Sequence, residues 1–377
     1  LRAWRDSPYR TVNIYIGGTN RGCRQPNLTA SWVRRAAALG WRLLPTYVGY
    51  QPSCVYGDGL SRFATSNAAS RGRSDAQDAI TKATALGLLP GSALYADIEH
   101  YDRSDSSCRA AVRRYVSAWT QTLHAGGFLA GVYVHLSSGL RDVSAAYASD
   151  SYARPDAVWV ASWDGSRWLD GWPTAPNHQW AVWQRAKQYR GDHDERWGGV
   201  TINIDSDSLR APVATVARSY QVTARTALNA RTGPSTSNRV VRTYGSGRTL
   251  PVVCQTTGQR IGSTRVWNRL SDGSWVTDRY LSTPSSTGFS SALPRCTYPG
   301  QVTASALHAR TGPGTSYPTS GSALPRGSLA YVVCQTSGST VGTTSVWNKL
   351  RDGRWVSDHY VSNRSTDSWS SPVPRCP

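Results

Sequence analysis

A stretch of about 80 residues occurs twice in the C-terminal part of this 377-residue chain, and this repeat restricts the fold more than any other feature. VTARTALNARTGP (222–234) returns as VTASALHARTGP (302–313). VVCQTTGQRIGSTRVWNRLSDGSWVTDRYLS (252–282) returns as VVCQTSGSTVGTTSVWNKLRDGRWVSDHYVS (332–362). Each copy has short runs rich in Val, Thr, Trp and Tyr, broken by Gly, Pro, Asn and Asp, the pattern of small all-β units. Arg231-Thr232-Gly233-Pro234 reads as a tight turn after a strand. Two copies cannot close a propeller, so each must fold around its own small core. Cys254 and Cys296 in one copy, and Cys334 and Cys376 in the other, are both 42 residues apart. That spacing predicts one disulfide per repeat and therefore an exported protein. The units are expected at 220–297 and 298–377, joined by the Ser/Thr-rich stretch 283–293.

Residues 1–212 have a different pattern. Apolar β-type runs at 12–16, 43–48, 93–98, 130–136, 157–162, 179–183 and 201–204 alternate with helical patterns. Leu28, Trp32, Val33, Ala36 and Leu39 recur at helical spacing, as do Val112, Tyr115, Val116, Trp119 and Leu123. Ser74 and Gln77 form a capping-box pattern ahead of Ala79, Ile80 and Ala83. Such alternation predicts a parallel sheet covered by helices, and the length suits a (β/α)8 TIM-type barrel better than an open sheet. Seven strands are visible rather than eight. The chain opens at Leu1, residues 1–6 look like the end of a helix, and there is no Met anywhere, so a processed or trimmed chain lacking its first barrel strand is expected. Cys23, Cys54 and Cys108 are an odd set, leaving either a free thiol or an absent partner.

Composition excludes several classes. No apolar run is long enough for a membrane-spanning helix. No pair reads C-x-x-C, no histidines sit at zinc spacing, and Asp192-His193-Asp194-Glu195 reads as a solvated loop, so no metal or other cofactor is expected. G-x-S-x-G, phosphate-loop and dinucleotide-binding patterns are all missing. The net charge of +19 is carried almost wholly by arginine and is uneven. Residues 1–212 hold 24 basic and 18 acidic side chains, whereas 213–377 hold 18 and 5. A basic C-terminal half attracts polyanions such as nucleic acid, anionic lipid or anionic wall polymer.

Chemistry is sought where parallel strands end. The third strand candidate reads Leu94-Tyr95-Ala96-Asp97-Ile98-Glu99-His100. Asp97 and Glu99, two apart, point to one side of a strand roughly 6–7 Å from each other. Only two glutamates occur in the chain, Glu99 and Glu195, and a carboxylate pair at a buried strand end is costly unless it is paired or functional. Asp205 lies at the end of the last candidate strand. Trp159, Trp163, Trp180 and Trp183 sit in or beside later strands, and aromatic faces suit sugar rings. Tyr15, Tyr47, Tyr133, Trp163, Trp183 and Gln184 are the candidate substrate contacts. His100 reads as a neighbour rather than a catalyst.

The segments VNIYIGGTNRGCRQPNLTASWV (12–33), GWRLLPTYVGYQPSC (40–54), ALYADIEHYD (93–102) and VWVASWDG (158–165) resemble the glycoside-hydrolase-like domain of actinobacterial secreted proteins over residues 1–210. That family is related in fold to the glycoside hydrolase family 25 lysozymes. The resemblance implies a (β/α) barrel acting on peptidoglycan, with the lysozyme D-x-E on Asp97 and Glu99 and a final-strand acid at Asp205. The family's first strand carries a Gly-Phe-Asp-x-Cys type motif that has no counterpart here. Its Asp would belong to the active-site ring, and its Cys would pair with Cys23, Cys54 or Cys108. LNARTGP (228–234), LHARTGP (307–313), SWVTDRYLS (274–282) and RWVSDHYVS (354–362) resemble bacterial SH3-like modules, small β-barrels that commonly target hydrolases to the cell wall.

Together these features predict a secreted, wall-associated, monomeric glycosidase with Glu99 as general acid, its pKa raised by the Asp97 charge. Its partners would be peptidoglycan or a related wall glycan, and anionic wall polymers. Two alternatives stand beside this reading: a wall-binding protein without catalysis, and a nucleic-acid binder, against which the disulfide spacing argues.

Overall fold

Alternating strands and helices in the first half assemble into one curled sheet. In the computed structural model all residues are described except 150, 182, 286, 363–368, 371–372 and 377. Strands β1 (Thr11–Gly17), β2 (Arg42–Tyr47), β3 (Ala93–Ile98), β4 (Leu129–His135), β5 (Ala157–Ala161), β6 (Arg185–Trp197) and β7 (Val200–Arg210) lie side by side in chain order. The first six are parallel. Helices α1 (Ala30–Ala38), α2 (Ala68–Ala85), α3 (Ser106–Ala125) and α4 (Gly139–Ala145) occupy the first four crossovers. Leu44, Tyr95, Trp159 and Ala186 form one interior cluster, against which Tyr133 and Leu209 pack. Side chains from β2 through β7 can meet in this way only if the sheet bends round on itself.

The chain divides into two compact units, Leu1–Thr215 and Val216–Pro377. In the first, the helix reading of 112–123 matches the buried face of α3. Other details differ from expectation. The sheet ends in a long hairpin, with β7 antiparallel to β6, so the eightfold strand–helix alternation is not seen among the described residues. Residues 179–183 are not a strand. Trp180 and Trp183 adopt φ of 46° and 56°, which breaks any extended run, and β6 starts only at Arg185; Val182 lies outside the described residues. Ser74 does not cap α2, which already runs from Ala68; its hydroxyl turns back to the Arg71 carbonyl. Asp192–Glu195 are not a loop but part of β6. There Glu195 accepts from the Tyr9 hydroxyl (2.7 Å) and Trp197 Nε1 (2.8 Å), tying the hairpin to the N-terminal segment. Cys54 and Cys108 are bonded, and Cys23 is an exposed thiol. No helix among the described residues is long and apolar enough to cross a membrane.

In the second unit each repeat closes its predicted disulfide, Cys254–Cys296 and Cys334–Cys376. The first repeat is a six-stranded antiparallel sheet over a core of Leu228, Val252, Leu270 and Val276. At the centre of each copy one buried carboxylate collects two amides. Asp278 Oδ1 accepts from Gln255 (3.0 Å) and Asn268 (2.8 Å), and Asp358 Oδ1 accepts from Gln335 (3.0 Å) and Asn348 (2.7 Å). Residues 283–293 are more than a connector, because Leu293 enters the first core and Ser290 N donates to Gln255 (2.8 Å). Arg231 braces its own RTGP turn through the Thr236 and Asn238 carbonyls, and Arg310 does the same through Thr315 and Tyr317.

A glycine governs the interior of the first unit. A Cβ at Gly131 on β4 would fall inside the Tyr95 ring, which is fully buried and bonded to the Pro212 carbonyl (2.8 Å). Gly131→Ala should therefore destabilise by about 1–3 kcal/mol through overpacking, read as a lowered melting midpoint of the first unit in calorimetry.

Candidate active site

Period-two alternation along β3 turns Tyr95 and Asp97 into the curl, and Glu99 follows immediately beyond the strand. This strand end is held by a side chain. Gln51, fully buried, donates from Nε2 to the Asp97 carbonyl (2.7 Å) and accepts from the Glu99 amide (2.9 Å). It replaces the ladder where the strand stops and fixes the relation of the two acids.

Asp97 is only 6% exposed. Burial first, and the Glu99 charge second, push its carboxyl well above the usual range. Burial also raises Glu99, while the hydrogen bond from Asp97 pulls it back. Burial thus raises both carboxyls of the coupled pair, with Asp97 the more deeply buried. The raised Glu99 carboxyl has burial as its largest cause, where the sequence reading named the Asp97 charge.

Glu99 opens onto a cleft of about 280 Å³ lined also by His100, Tyr133, His135, Ser162 and Trp163. Trp163 follows β5 and is 64% exposed, with one face free toward solvent. Its Nε1 (2.8 Å) and the Tyr133 hydroxyl (3.0 Å) both donate to Gln188 Oε1. Gln188 Nε2 in turn donates to Asp205 Oδ2 (2.9 Å), and Asp205 Oδ1 accepts from the Asp192 amide (2.8 Å). One glutamine thus ties β4, the loop after β5 and the hairpin into a single wall. His100 and His135 stack at 4.0 Å, with the Ser137 hydroxyl beside His135 Nδ1 (2.9 Å) and His100 Nε2 (3.3 Å). Burial and the neighbouring imidazole lower the His135 pKa. Tyr15 on β1 faces the same interior, and burial together with Asp97 and Asp205 raises its phenol to about 12.

The structure thus brings Asp97, Glu99, Asp205, Tyr15, Tyr133 and Trp163 together. It does not bring the other three. Tyr47 points outward to the helices, where its hydroxyl donates to Asp78 (2.7 Å) and its ring packs on Trp119. Thr46, its neighbour, takes the inward position on β2, bonding Asn13 (2.6 Å). Gln184 and Trp183 precede β6 and so lie at the opposite, starting end of the strands. Gln184 is fully buried and donates to the Asp156 carbonyl (2.7 Å).

Sequence reasoning missed Gln51, Gln188 and Asp207. Asp207 accepts from Trp159 Nε1 (2.7 Å), and burial raises its carboxyl to about 7. Its signal was available: Asp205 and Asp207 are two apart, the spacing that paired Asp97 with Glu99. Among the described residues no group of three or more His, Cys, Asp or Glu is arranged to hold a metal ion.

A family model described as "Rv2525c-like, glycoside hydrolase-like domain" matches residues 2–209, and the chain belongs to this family. No curated protein matches it. Among solved structures, the Tat-secreted protein Rv2525c of Mycobacterium tuberculosis is 17% identical, over 56% of this chain and 91% of that one, with a TM-score of 0.37. The catalytic domain of the endolysin ply40 from Listeria monocytogenes bacteriophage P40 is 14% identical (55% and 85% covered, TM-score 0.35). The spore cortex lytic enzyme SleM of Clostridium perfringens is 12% identical (70% and 86% covered, TM-score 0.35).

Asp207 ties the site to stability. Its pKa in the fold lies above that of an unfolded aspartate, so the fold binds a proton that the unfolded chain has released between about pH 4 and pH 7. Stability contributed by the neutral acid is present below that window and lost as pH rises through it. Denaturant midpoints of the first unit should fall from pH 4.5 to pH 7.5, and Asp207→Asn should flatten the decline.

Proposed function

We propose that this chain is a secreted glycosidase that cuts peptidoglycan or a related bacterial cell-wall glycan. The observation that carries the reading is the Asp97–Glu99 pair, two neighbouring acids with raised carboxyls at a strand end, of which Glu99 lines an aromatic-walled cleft. Glycoside hydrolysis needs a proton for the leaving oxygen and negative charge near the oxocarbenium-like centre. Glu99 is the member open to the cleft. As the substrate oxygen approaches, the pair delivers a proton to it through Glu99. Both carboxylates are then charged as positive charge develops on the sugar. The glycosidic C–O bond breaks, water adds to the anomeric carbon and its proton returns to the acid pair, with Asp205 and Asp207 on the facing wall to orient the water or the sugar. Tyr15, Tyr133 and Trp163 offer aromatic surface for the ring.

The two C-terminal repeats are read as SH3-like modules that hold the enzyme on the wall, with their basic excess drawing them to anionic polymers. The first unit is read as a (β/α) barrel of the lysozyme type. Three disulfides suit an extracellular, oxidising location. The protein is taken to act as a monomer. Nucleic acid is not a proposed partner, since the arginines of both RTGP turns are engaged by their own turns.

A second reading is wall binding without hydrolysis. It is favoured by the first strand, β1, which offers Asn13 and Tyr15 to the interior and no acid.

Incubation with purified walls, read as new reducing ends, separates the two. Wild type should release them, and Glu99→Gln should release at least roughly 100-fold fewer while still sedimenting with the walls. Equal release from both proteins would overturn the role of Glu99. Release from neither, with both bound, would establish the second reading.

A further inference from the structure

The stacked histidines beside Glu99 have no task in the proton transfer through that acid, yet the bonds of one of them prepare it for a ligand. His135 ends β4. The Ser137 backbone N–H donates to its Nδ1 (3.2 Å), and the Ser137 hydroxyl lies 2.9 Å from the same atom. A ring nitrogen that accepts from a backbone N–H carries no proton of its own, so the proton of the neutral imidazole sits on Nε2. A second proton would have to enter at Nδ1, against the Ser137 N–H. Burial and the His100 ring, stacked at 4.0 Å, also favour the neutral form. Among the described residues the His100 ring has one hydrogen bond, with the Ser137 hydroxyl (3.3 Å), and a hydroxyl that can donate or accept fixes no tautomer.

The other donors on the cleft wall are committed. The Tyr133 hydroxyl and Trp163 Nε1 both bond Gln188, and the Ser162 hydroxyl bonds Asp164 (3.1 Å). His135 Nε2 has no partner among the described residues, and the atom is not sealed from solvent. The cleft therefore presents a neutral N–H donor of fixed tautomer beside Glu99.

We propose that His135 is a substrate-binding residue that donates from Nε2 to an uncharged oxygen of the glycan, a sugar hydroxyl or an acylamino carbonyl. The inference rests on the reading of the cleft as a glycan site. A carboxylate substituent would favour the imidazolium, whose added proton Nδ1 cannot take while it faces the Ser137 N–H. This donor suits a neutral sugar and not an acidic one.

The test is calorimetric titration of the full chain with cellotetraose, chitotetraose and tetragalacturonate, in the Glu99→Gln background so that no bond is cut. At least one neutral sugar should bind, and the acidic one should bind more weakly. His135→Leu should weaken neutral-sugar binding roughly fivefold, and His135→Gln, whose amide supplies a donor, should restore most of it. A ring that only filled space would show no such rescue. Tighter binding of chitotetraose identifies the acylamino carbonyl as the acceptor, and equal binding identifies a hydroxyl. Nitrogen-15 spectra need no change at His135 and carry the test if His135→Leu fails to fold. They should show a protonated Nε2 and a bare Nδ1, with the Nε2 signal moving as sugar is added. No binding of either neutral sugar, binding indifferent to His135, tighter binding of the acidic sugar, or an imidazolium in the complex would overturn the proposal. Walls cut by a protein whose sugar binding ignores His135 would sink this inference alone. Binding that depends on His135, without cleavage of walls by the protein carrying Glu99, would sink only the glycosidase reading.

Discussion

Two acids stand side by side at the end of one strand, Asp97 buried and Glu99 open to the cleft, and the first unit is organised around holding them there. Asp97 is the more deeply buried and its carboxyl is raised furthest by desolvation, while Glu99 meets the cleft. The backbone holding them needs partners beyond the strand end, which Gln51 supplies from the loop after β2. The Cys54–Cys108 bond anchors that loop to α3, so the geometry of the acids is referred back to the helical layer. On the facing side Gln188 performs a comparable service for Tyr133, Trp163 and Asp205. Two buried amides thus position the cleft, each satisfied at both ends of its side chain.

The second unit uses the same device for a different end. Small β-units have little apolar volume, and here a carboxylate with two amide donors occupies part of the centre. Such a network stabilises only when its members are satisfied together, because any donor left alone in a dry core is expensive. The disulfide beside it ties residue 296 or 376 back to the strand that carries the glutamine.

Much of this was legible in the sequence, and the failures have physical causes. Regular periodicity foretold six of the seven strands and the buried face of α3, because burial of one face leaves a repeating mark. It did not foretell the direction of β7, since an extended run reads alike in either sense. The segment 179–183 carries strand-like residues, but tertiary packing of Trp180 overrides their propensity. Tyr47 was misplaced by a single step along β2, and one step turns a side chain from the interior to the helices. Gln184 was chosen where Gln188 belongs, because the start of β6 was unknown. Gln51 carried no signal at all, as nothing in sequence tells a loop amide that caps a distant strand from one in solvent. The D-x-E pair was found because strand spacing and acid chemistry coincide there. The depth of burial that separates its two members needed the third dimension.

The closed polar centre of each repeat has a consequence for how such a chain changes over time. Gln255, Asn268 and Asp278 bond one another inside one copy, as Gln335, Asn348 and Asp358 do in the other. No single one of these positions can drift without stranding the remaining two. The outward turns and strand edges are free of that bond and can diverge. Duplication therefore yields a module whose interior is inherited as a block while its surface is open to selection.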